Sequence, residues 1–362
     1  MRIAVLSNAY PPRARGGAGR IAALQVAQLQ VLGHDVRVWT DDLAWTSQPF
    51  WRRVLVHLRD LWSVYPKTHE IVAWQPEVLI THNLTGLGWR TPRVIQRRVK
   101  KALRWVHVLH DVQLFEPLGL LKDEKPISLL QRLVTCLRRP LLGRIDCVVS
   151  PTHWLLQAHK RRGWFQKTET VVIPNPAPAF VGSPSTSWHK PWRLLFVGRV
   201  SQDKGAEVLQ ELMRTAPRPI EWWVIGEGSE QLKVTTLPSG SALVTLPQSS
   251  SEVVLDKMRQ ADLLLVPSQI CENQPTVLLE AFACGLPAVA TTIGGIPETL
   301  HKAGVTLPVH ASIDAWWQAI EAVFQKPRTS WSATAQTAWQ RHDPERVVDA
   351  FVDALLRSNK KI

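Results

Sequence analysis

A repeated change of period constrains this sequence more than any other feature. Short apolar runs alternate with stretches whose apolar residues recur at helical spacing. Residues 3–6 are apolar, the turn-rich Ser7-Asn8-Ala9-Tyr10-Pro11-Pro12 follows, and a helical pattern runs from residue 19 to 32. Gly33 stops that pattern, and residues 36–40 resume as a strand. Strand, helix and strand in succession form the unit of a parallel sheet, because parallel neighbours need a long crossover between them. Further strands are predicted at 78–81, 105–109 and 147–149.

Residues 174–192 interrupt the alternation. Pro174, Pro176, Pro178, Pro184 and Pro191, with Gly182 and several serines, read as a linker. The alternation then restarts. A strand at 194–197 runs into Gly198, a helix follows at 206–213, and strands are predicted at 221–225, 242–246, 262–266 and 288–290. Residues 344–356 carry apolar positions at helical spacing and predict a final helix. The expected fold class is α/β, with two Rossmann-like, doubly wound parallel-sheet domains facing across a cleft. Their expected bounds are 1–180, joined by a C-terminal helix at 344–362, and 190–343. Right-handed crossovers put ligands at the carboxyl ends of the strands, so the loops there are where chemistry is expected.

Composition excludes some classes. With 362 residues, 45% hydrophobic and 20% charged, the chain can bury a core without disulfides or metal and is not disordered in bulk. Cys136, Cys147, Cys271 and Cys284 show no C-x-x-C spacing and read as buried free thiols of a reducing compartment. The N-terminal apolar run is too short for a signal peptide, and no apolar run reaches ~18–20 residues. The expectation is a cytoplasmic protein, peripheral on the inner face of the cell membrane. The net charge of +13 is unevenly distributed. Residues 1–190 hold 27 Lys+Arg against 12 Asp+Glu, and the remainder hold 16 against 18. Such asymmetry points the first half toward an anionic partner. Basic clusters with interleaved tryptophans sharpen this: Arg52-Arg53, Arg97-Arg98 with Lys100-Lys101 and Arg104, Arg138-Arg139, and Lys160-Arg161-Arg162, near Trp51, Trp62, Trp154 and Trp164.

Three segments carry chemistry. Gly16-Gly17-Ala18-Gly19 opens a helix after the first strand, where backbone N–H groups can approach a phosphate or sugar. Arg199 and Lys204 share a loop between a strand and a helix, a place where two cations can clamp a diphosphate. Glu272-Asn273-Gln274-Pro275-Thr276-Val277-Leu278-Leu279-Glu280 puts two glutamates eight apart across a loop and the start of a helix. A carboxylate so positioned can bind vicinal hydroxyls of a ribose or hexose.

The stretch from Glu272 to Pro287, with Gly294-Gly295-Ile296-Pro297-Glu298, closely resembles the signature of the GT-B-fold retaining glycosyltransferases of family four, the glycosyl transferases group 1. Gly198-Arg199 and Lys204-Gly205 resemble their diphosphate loop, and Gly226-Glu227-Gly228 their next turn. Tyr10-Pro11-Pro12, Gly16-Gly17 and Gly33-His34-Asp35-Val36 resemble their opening, and Val172-Ile173-Pro174-Asn175 their exit to the linker. Two departures stand out: Asn273-Gln274-Pro275 replaces the Gly-Phe-Gly of several members, and Pro176 a usual glycine. The resemblance implies an acceptor-side first domain and a nucleotide-sugar-binding second domain. It implies that Arg199, Lys204 and Gly198 hold the diphosphate, and that Glu280 holds the ribose. Glu272 and the backbone of Asn273, Gln274, Pro275 and Thr276 would hold the donor sugar. His110 in Trp105-Val106-His107-Val108-Leu109-His110-Asp111 matches the histidine that meets that sugar; His107 falls mid-strand in the alternation. Gly16 and Gly17 would approach the phosphates or acceptor.

The same resemblance implies a metal-independent, retaining hexosyl transfer from a UDP- or GDP-linked sugar, with no cofactor. No D-x-D occurs in the sequence. The implied acceptor is a glycolipid or polysaccharide precursor, and the implied partner of the basic half is an anionic membrane surface. A sugar phosphorylase or nucleotide-sugar epimerase of the same fold is the alternative within the class. A nucleic-acid-binding module would suit the charge but leaves the paired glutamates unexplained, so no nucleic acid is expected as a partner.

Overall fold

The structure is a computed structural model and describes residues 1–12, 17–41, 49–117, 119–122, 127–181, 186–232 and 237–356. It divides into two compact units: 1–175 with 347–362, and 176–346.

The first unit is a six-stranded sheet in the order β2-β1-β3-β4-β5-β6, with every pairing parallel. Its strands are β1 (Arg2–Ser7), β2 (Asp35–Thr40), β3 (Val78–Thr81), β4 (Arg104–Val108), β5 (Cys147–Ser150) and β6 (Glu169–Val172). The inner strands β1, β3, β4 and β5 are almost wholly buried, as expected when helices cover both faces of a parallel sheet. Helices α1 (Gly17–Val31), α2 (Phe50–Arg59), α3 (Thr68–Trp74), α4 (Thr91–Arg98), α5 (Leu129–Leu142) and α6 (His153–Arg161) make the crossovers. Ser128 and Thr152 start α5 and α6 by accepting the amides of Gln131 and Leu155, each at 3.1 Å.

The second unit repeats the plan in the order β12-β11-β10-β7-β8-β9. Its strands are β7 (Trp192–Val197), β8 (Ile220–Ile225), β9 (Ala242–Leu246), β10 (Leu263–Val266), β11 (Ala288–Thr291) and β12 (Gly304–Leu307). Helices α7 (Ala206–Arg214), α8 (Ser251–Gln260), α9 (Thr276–Ala283), α10 (Ile296–Leu300), α11 (Ile313–Phe324) and α12 (Arg328–Arg341) surround it. The last helix, α13 (Pro344–Leu356), returns to the first unit. There Val347, Phe351, Ala354 and Leu355 join Ile3, Val5, Val26 and Val106 in one core.

Two edge strands, β6 and β12, escape the apolar-run criterion. Both are only half buried, so Glu-Thr-Val-Val and Gly-Val-Thr-Leu lack a continuous apolar signal. The segment read as a linker is also different: from Pro176 onward it belongs to the second unit. Ala177 N–H donates to His342 O at 2.8 Å and Val181 N–H to Ala283 O at 3.0 Å. Trp188 and Trp192 pack on Phe324, the latter stacked at 3.7 Å. The aromatic side chains tie the described part of this segment down. Cys147, Cys271 and Cys284 are buried, but Cys136 is exposed, because α5 turns that face to solvent. The tryptophans are largely structural, with Trp89, Trp105, Trp164, Trp222 and Trp316 fully buried.

Since α13 supplies an aromatic side chain to the first core, Phe351→Ala should destabilise that unit by about 3–5 kcal/mol. Urea unfolding followed by amide exchange in 1–175 checks this; an unchanged midpoint there would show that the helix contributes no core packing.

Candidate active site

In the second unit, the chain moves from β7 to β8 on one side and later fills β10 and β11 on the other. The switch point therefore lies between β7 and β10, where an open parallel sheet parts its loops. The loop after β7 holds Gly198, Arg199 and Lys204 and is braced by Gly198 N–H to Ile225 O at 2.9 Å and Val200 N–H to Glu227 O at 2.8 Å. Gly205, at φ +81°, lets this loop touch the next: a Cβ there would meet Pro267 O at 2.0 Å. Gln269 N–H closes the contact by donating to Asp203 O at 2.9 Å.

Three loops fix Glu272. Lys204 Nζ lies 2.8 Å from its Oε2, a half-buried ion pair. The Ser268 hydroxyl donates to its Oε1, and Ser268 O in turn accepts from the Thr291 hydroxyl at 2.8 Å. From the loop after β11, Gly295 N–H donates to Glu272 O at 2.7 Å. Gly294, at φ +61°, must lack a side chain, since a Cβ would meet Glu272 O at 2.3 Å. Sequence reasoning found Glu272 and Lys204; it missed Ser268, which no motif marks.

Asn273, Gln274 and Pro275 lead directly into α9, which begins at Thr276 without a side-chain cap. The first-turn amides of such a helix present donors and the positive end of its dipole. Glu280 lies in the second turn and is buried. Arg199 is drawn into its own loop, 3.0 Å from Asp203 Oδ2. Burial works against the charged Asp203, but the Ser201 hydroxyl and Arg199 prevail and hold its carboxyl below the usual range.

In the first unit, Gly17 is the first residue of α1, while Gly16 lies outside the described residues. The loops after β3 and β4 form a side-chain ladder. His82 Nδ1 and His110 Nε2 are 2.7 Å apart and their rings are stacked. Asn83 Nδ2 donates to Asp111 Oδ2 at 2.8 Å, and the Thr85 hydroxyl to Gln113 Oε1 at 2.9 Å. Burial lowers the His110 pKa to about 4, and burial with the neighbouring histidines puts His82 well below its ordinary value. Both rings are therefore neutral near pH 7, and a single proton lies between the two nitrogens, so their tautomers are coupled. His107 is mid-strand and buried as the alternation predicts, bonded to the Thr81 hydroxyl at 2.8 Å. His82, Asn83 and Asp111 were missed as site residues. The signal was present in the paired endings Thr81-His82-Asn83 and Leu109-His110-Asp111 of two neighbouring strands.

The basic clusters divide. Arg97, Arg98, Lys100 and Lys101 are exposed, as a charged surface requires. Arg138 and Arg162 are not: both are buried, over the rings of Trp89 and Phe115 at 4.7 and 4.3 Å. Arg138 donates to the Gln113 and Leu114 carbonyls, and Arg162 to Gln131 Oε1 at 2.8 Å and Ala158 O at 3.0 Å. Trp164 is buried as well, and Arg104 Nη2 donates to Ala354 O at 2.8 Å. Carbonyl oxygens and, for Arg138 and Arg162, aromatic faces hold these guanidinium groups inside, which removes them from any surface patch.

Residues 191–326 match the family model described as glycosyl transferases group 1, and residues 16–176 match the glycosyl transferase 4-like domain. The D-inositol 3-phosphate glycosyltransferase of Arthrobacter sp. (strain FB24) is 30% identical over 176 residues, 44% of this chain and 40% of that protein's length. The chain thus matches less than half of that relative. Among solved structures, sucrose-phosphate synthase from Thermosynechococcus elongatus aligns over 98% of both chains at TM-score 0.72 and 16% identity. Anabaena HepE in complex with UDP-glucose aligns over 98% of this chain and 99% of its own at TM-score 0.67 and 17% identity. At these identities the structural likeness establishes the fold.

The buried histidines make the first unit acid-labile. His107 is lowered to about 3 and His57, His110 and His159 to about 4, in each case chiefly by burial. Folded values below the unfolded one mean that this stability is complete above pH ~6.5 and is lost as the pH falls toward the folded values. Asp60 and Asp111, raised by burial to about 6, act in the opposite sense. Between pH ~7.5 and ~5, a fully buried histidine of this kind costs on the order of 2 kcal/mol, and each such aspartate returns roughly 1 kcal/mol. The histidines prevail, so the unfolding midpoint should fall on acidification. A midpoint that is level or rising down to pH ~5 would contradict the buried neutral cluster.

Proposed function

The chain belongs to the group 1 glycosyltransferases of the GT-B fold, and we propose that it transfers a sugar from a UDP- or GDP-linked donor to a glycolipid or polysaccharide-precursor acceptor at the cytoplasmic face of a membrane. The observation that carries this reading is the Lys204–Glu272 pair, held by three loops at one sheet edge and followed at once by the amino end of α9. A fixed cation beside a fixed carboxylate suits a substrate that is anionic at one end and hydroxylated at the other.

Lys204 and Arg199, with the Gly198 backbone, take the diphosphate; Arg199 exchanges its Asp203 contact for phosphate oxygens. Glu280 accepts from the ribose hydroxyls. Glu272 accepts from the donor sugar, with the backbone amides of Asn273, Gln274 and Thr276 donating beside it and Pro275 shaping the turn. On the first unit, neutral His110, oriented by His82, is a hydrogen-bond partner for a sugar hydroxyl. Gly16 and Gly17 are proposed at phosphate or acceptor. In the transfer, the bond from the anomeric carbon to the diphosphate oxygen breaks and the acceptor oxygen attacks from the same face. The acceptor proton passes to the departing phosphate oxygen, and configuration is retained. Fixed Arg and Lys charge stabilises the leaving group, so a chelator is expected to leave turnover unchanged.

The membrane part of the reading rests on the excess positive charge of the first half and on exposed Arg97, Arg98, Lys100 and Lys101. Among the described residues, no helix is long and apolar enough to cross a membrane.

Incubation with a panel of UDP- and GDP-sugars, read by release of nucleoside diphosphate and by NMR of the product anomer, tests the assignment. Sugar 1-phosphate formed from a glycan and inorganic phosphate, with no nucleoside diphosphate released from any donor, would mark a phosphorylase instead. Arg199→Ala and Lys204→Ala are each expected to lower turnover by about 10²–10³, the scale of losing one preorganised charge-stabilising donor. Near-normal turnover in both variants would remove them from the diphosphate.

The two glutamates should separate kinetically. Glu280→Ala weakens nucleoside diphosphate binding, because a ribose contact is common to ground and transition states. Glu272→Ala chiefly lowers kcat, because a contact to the reacting sugar strengthens as charge develops. Calorimetric titration of nucleoside diphosphate into both variants is the check, and the opposite pattern would exchange their roles.

A further inference from the structure

We infer that the outward face of α5 and α2 in the first unit docks on an anionic phospholipid bilayer; this deepens the membrane-face reading above and rests on it. Helix α5 is amphipathic in the reverse of the usual sense. Three of its four buried residues are polar: Gln131, Thr135 and Arg138 recur on one face, which Leu142 closes. Gln131 bridges Glu116 Oε2 at 3.1 Å and Arg162 Nε at 2.8 Å, and the Thr135 hydroxyl accepts from Trp164 Nε1 at 3.3 Å. Arg138 binds two backbone carbonyls. The opposite stripe is leucine: Leu129 is 84% exposed, Leu130 and Leu133 57%, and Leu137 47%. Rotating the helix to bury these leucines would break the polar network inside, so their exposure is built in.

Helix α2 lies beside it. Arg138 Nη2 is 3.1 Å from His57 Nδ1, and His57 Nε2 is 2.9 Å from Pro117 O. On α2, Trp51, Leu55 and Leu58 are exposed at 58%, 55% and 48%, again at the spacing of one face. Two neighbouring helices that both turn large apolar side chains outward mark an interaction surface.

Charge selects the occupant. Apart from the buried Arg138, the two helices hold five arginines, and they hold no aspartate or glutamate. A second copy of the chain on this face would set arginine against arginine. An anionic bilayer meets both features at once, with acyl chains for the leucines, phosphates for Arg52, Arg59 and Arg132, and the interfacial layer for Trp51. The exposed Cys136 lies on the same face, while the other three cysteines are buried.

The test uses the full chain labelled at Cys136 with an environment-sensitive fluorophore, together with flotation of unlabelled protein. Vesicles of phosphatidylcholine are compared with and without phosphatidylglycerol. Binding and a fluorescence rise are expected only with phosphatidylglycerol, falling steeply with salt. Combined Leu130→Ser, Leu133→Ser and Leu137→Ser should lower vesicle partition by at least about 100-fold, with the thermal midpoint and donor hydrolysis unchanged. Arg132→Glu should lower it at least about fivefold. Wild-type protein that floats on neither vesicle overturns the membrane reading itself. Wild-type flotation with an equally buoyant leucine variant and an unresponsive label overturns this face alone. The same holds if only charge reversal of Arg97, Arg98, Lys100 and Lys101 releases the protein. A wild-type dimer in sedimentation that the leucine variant dissociates, without vesicle binding by either, makes a second copy the occupant and also overturns it.

Discussion

Parallel pairing governs everything else in this molecule. All ten described strand pairings are parallel. Parallel strands cannot be joined by a tight hairpin, so each return to the sheet runs through a crossover, almost always a helix, and the loops that leave the strands collect along one edge. Residues far apart in the chain therefore meet there: Lys204 with Glu272, Thr291 with Ser268, His82 with His110. The order of the second sheet adds a switch point between β7 and β10, and the loops after those two strands carry the charged pair.

The two units then treat polarity differently. The second keeps permanent charge at its edge, with Lys204 against Glu272 and Arg199 against Asp203. Each such pair can trade its partner for a substrate oxygen at small net cost, because the ions are only partly desolvated. The first unit buries its polar edge more deeply. There burial drives histidines neutral and leaves a ladder of hydrogen bonds through His82, Asn83 and Thr85 to His110, Asp111 and Gln113. A neutral, hydrogen-bonded ladder suits an uncharged ligand group; a charged loop suits an anion.

Burial likewise sorts the cations of the first half. Arg138 and Arg162 serve as internal braces, with guanidinium groups over Trp89 and Phe115 and hydrogen-bonded to carbonyl oxygens. With Arg138 inside α5 and Arg162 capping α6, leucine turns outward on α5, so one choice of polar core creates the apolar outer face. Counting charges along the chain treats these arginines and the exposed Arg97 and Arg98 alike, and only packing separates them.

Local physics made much of this legible in the sequence. The period change from strand to helix, Gly33 as a stop and the apolar run of 194–197 into Gly198 fix an α/β chain with two sheets, because they depend on neighbours within a few turns. The spacing of Glu272 and Glu280 marks a candidate site in the same way, since one loop and one helix carry both. What the sequence could not determine depends on contacts across long separations. The half-buried edges β6 and β12 show no run, the proline segment is tied to the second unit by tryptophans, and His82 gains meaning only when β3 lies beside β4. The direction of Arg138 belongs here too. Its helix has two amphipathic faces, and the tertiary structure alone decided that the polar one is buried, because Glu116, Arg162 and the Gln113 carbonyl were there to satisfy it.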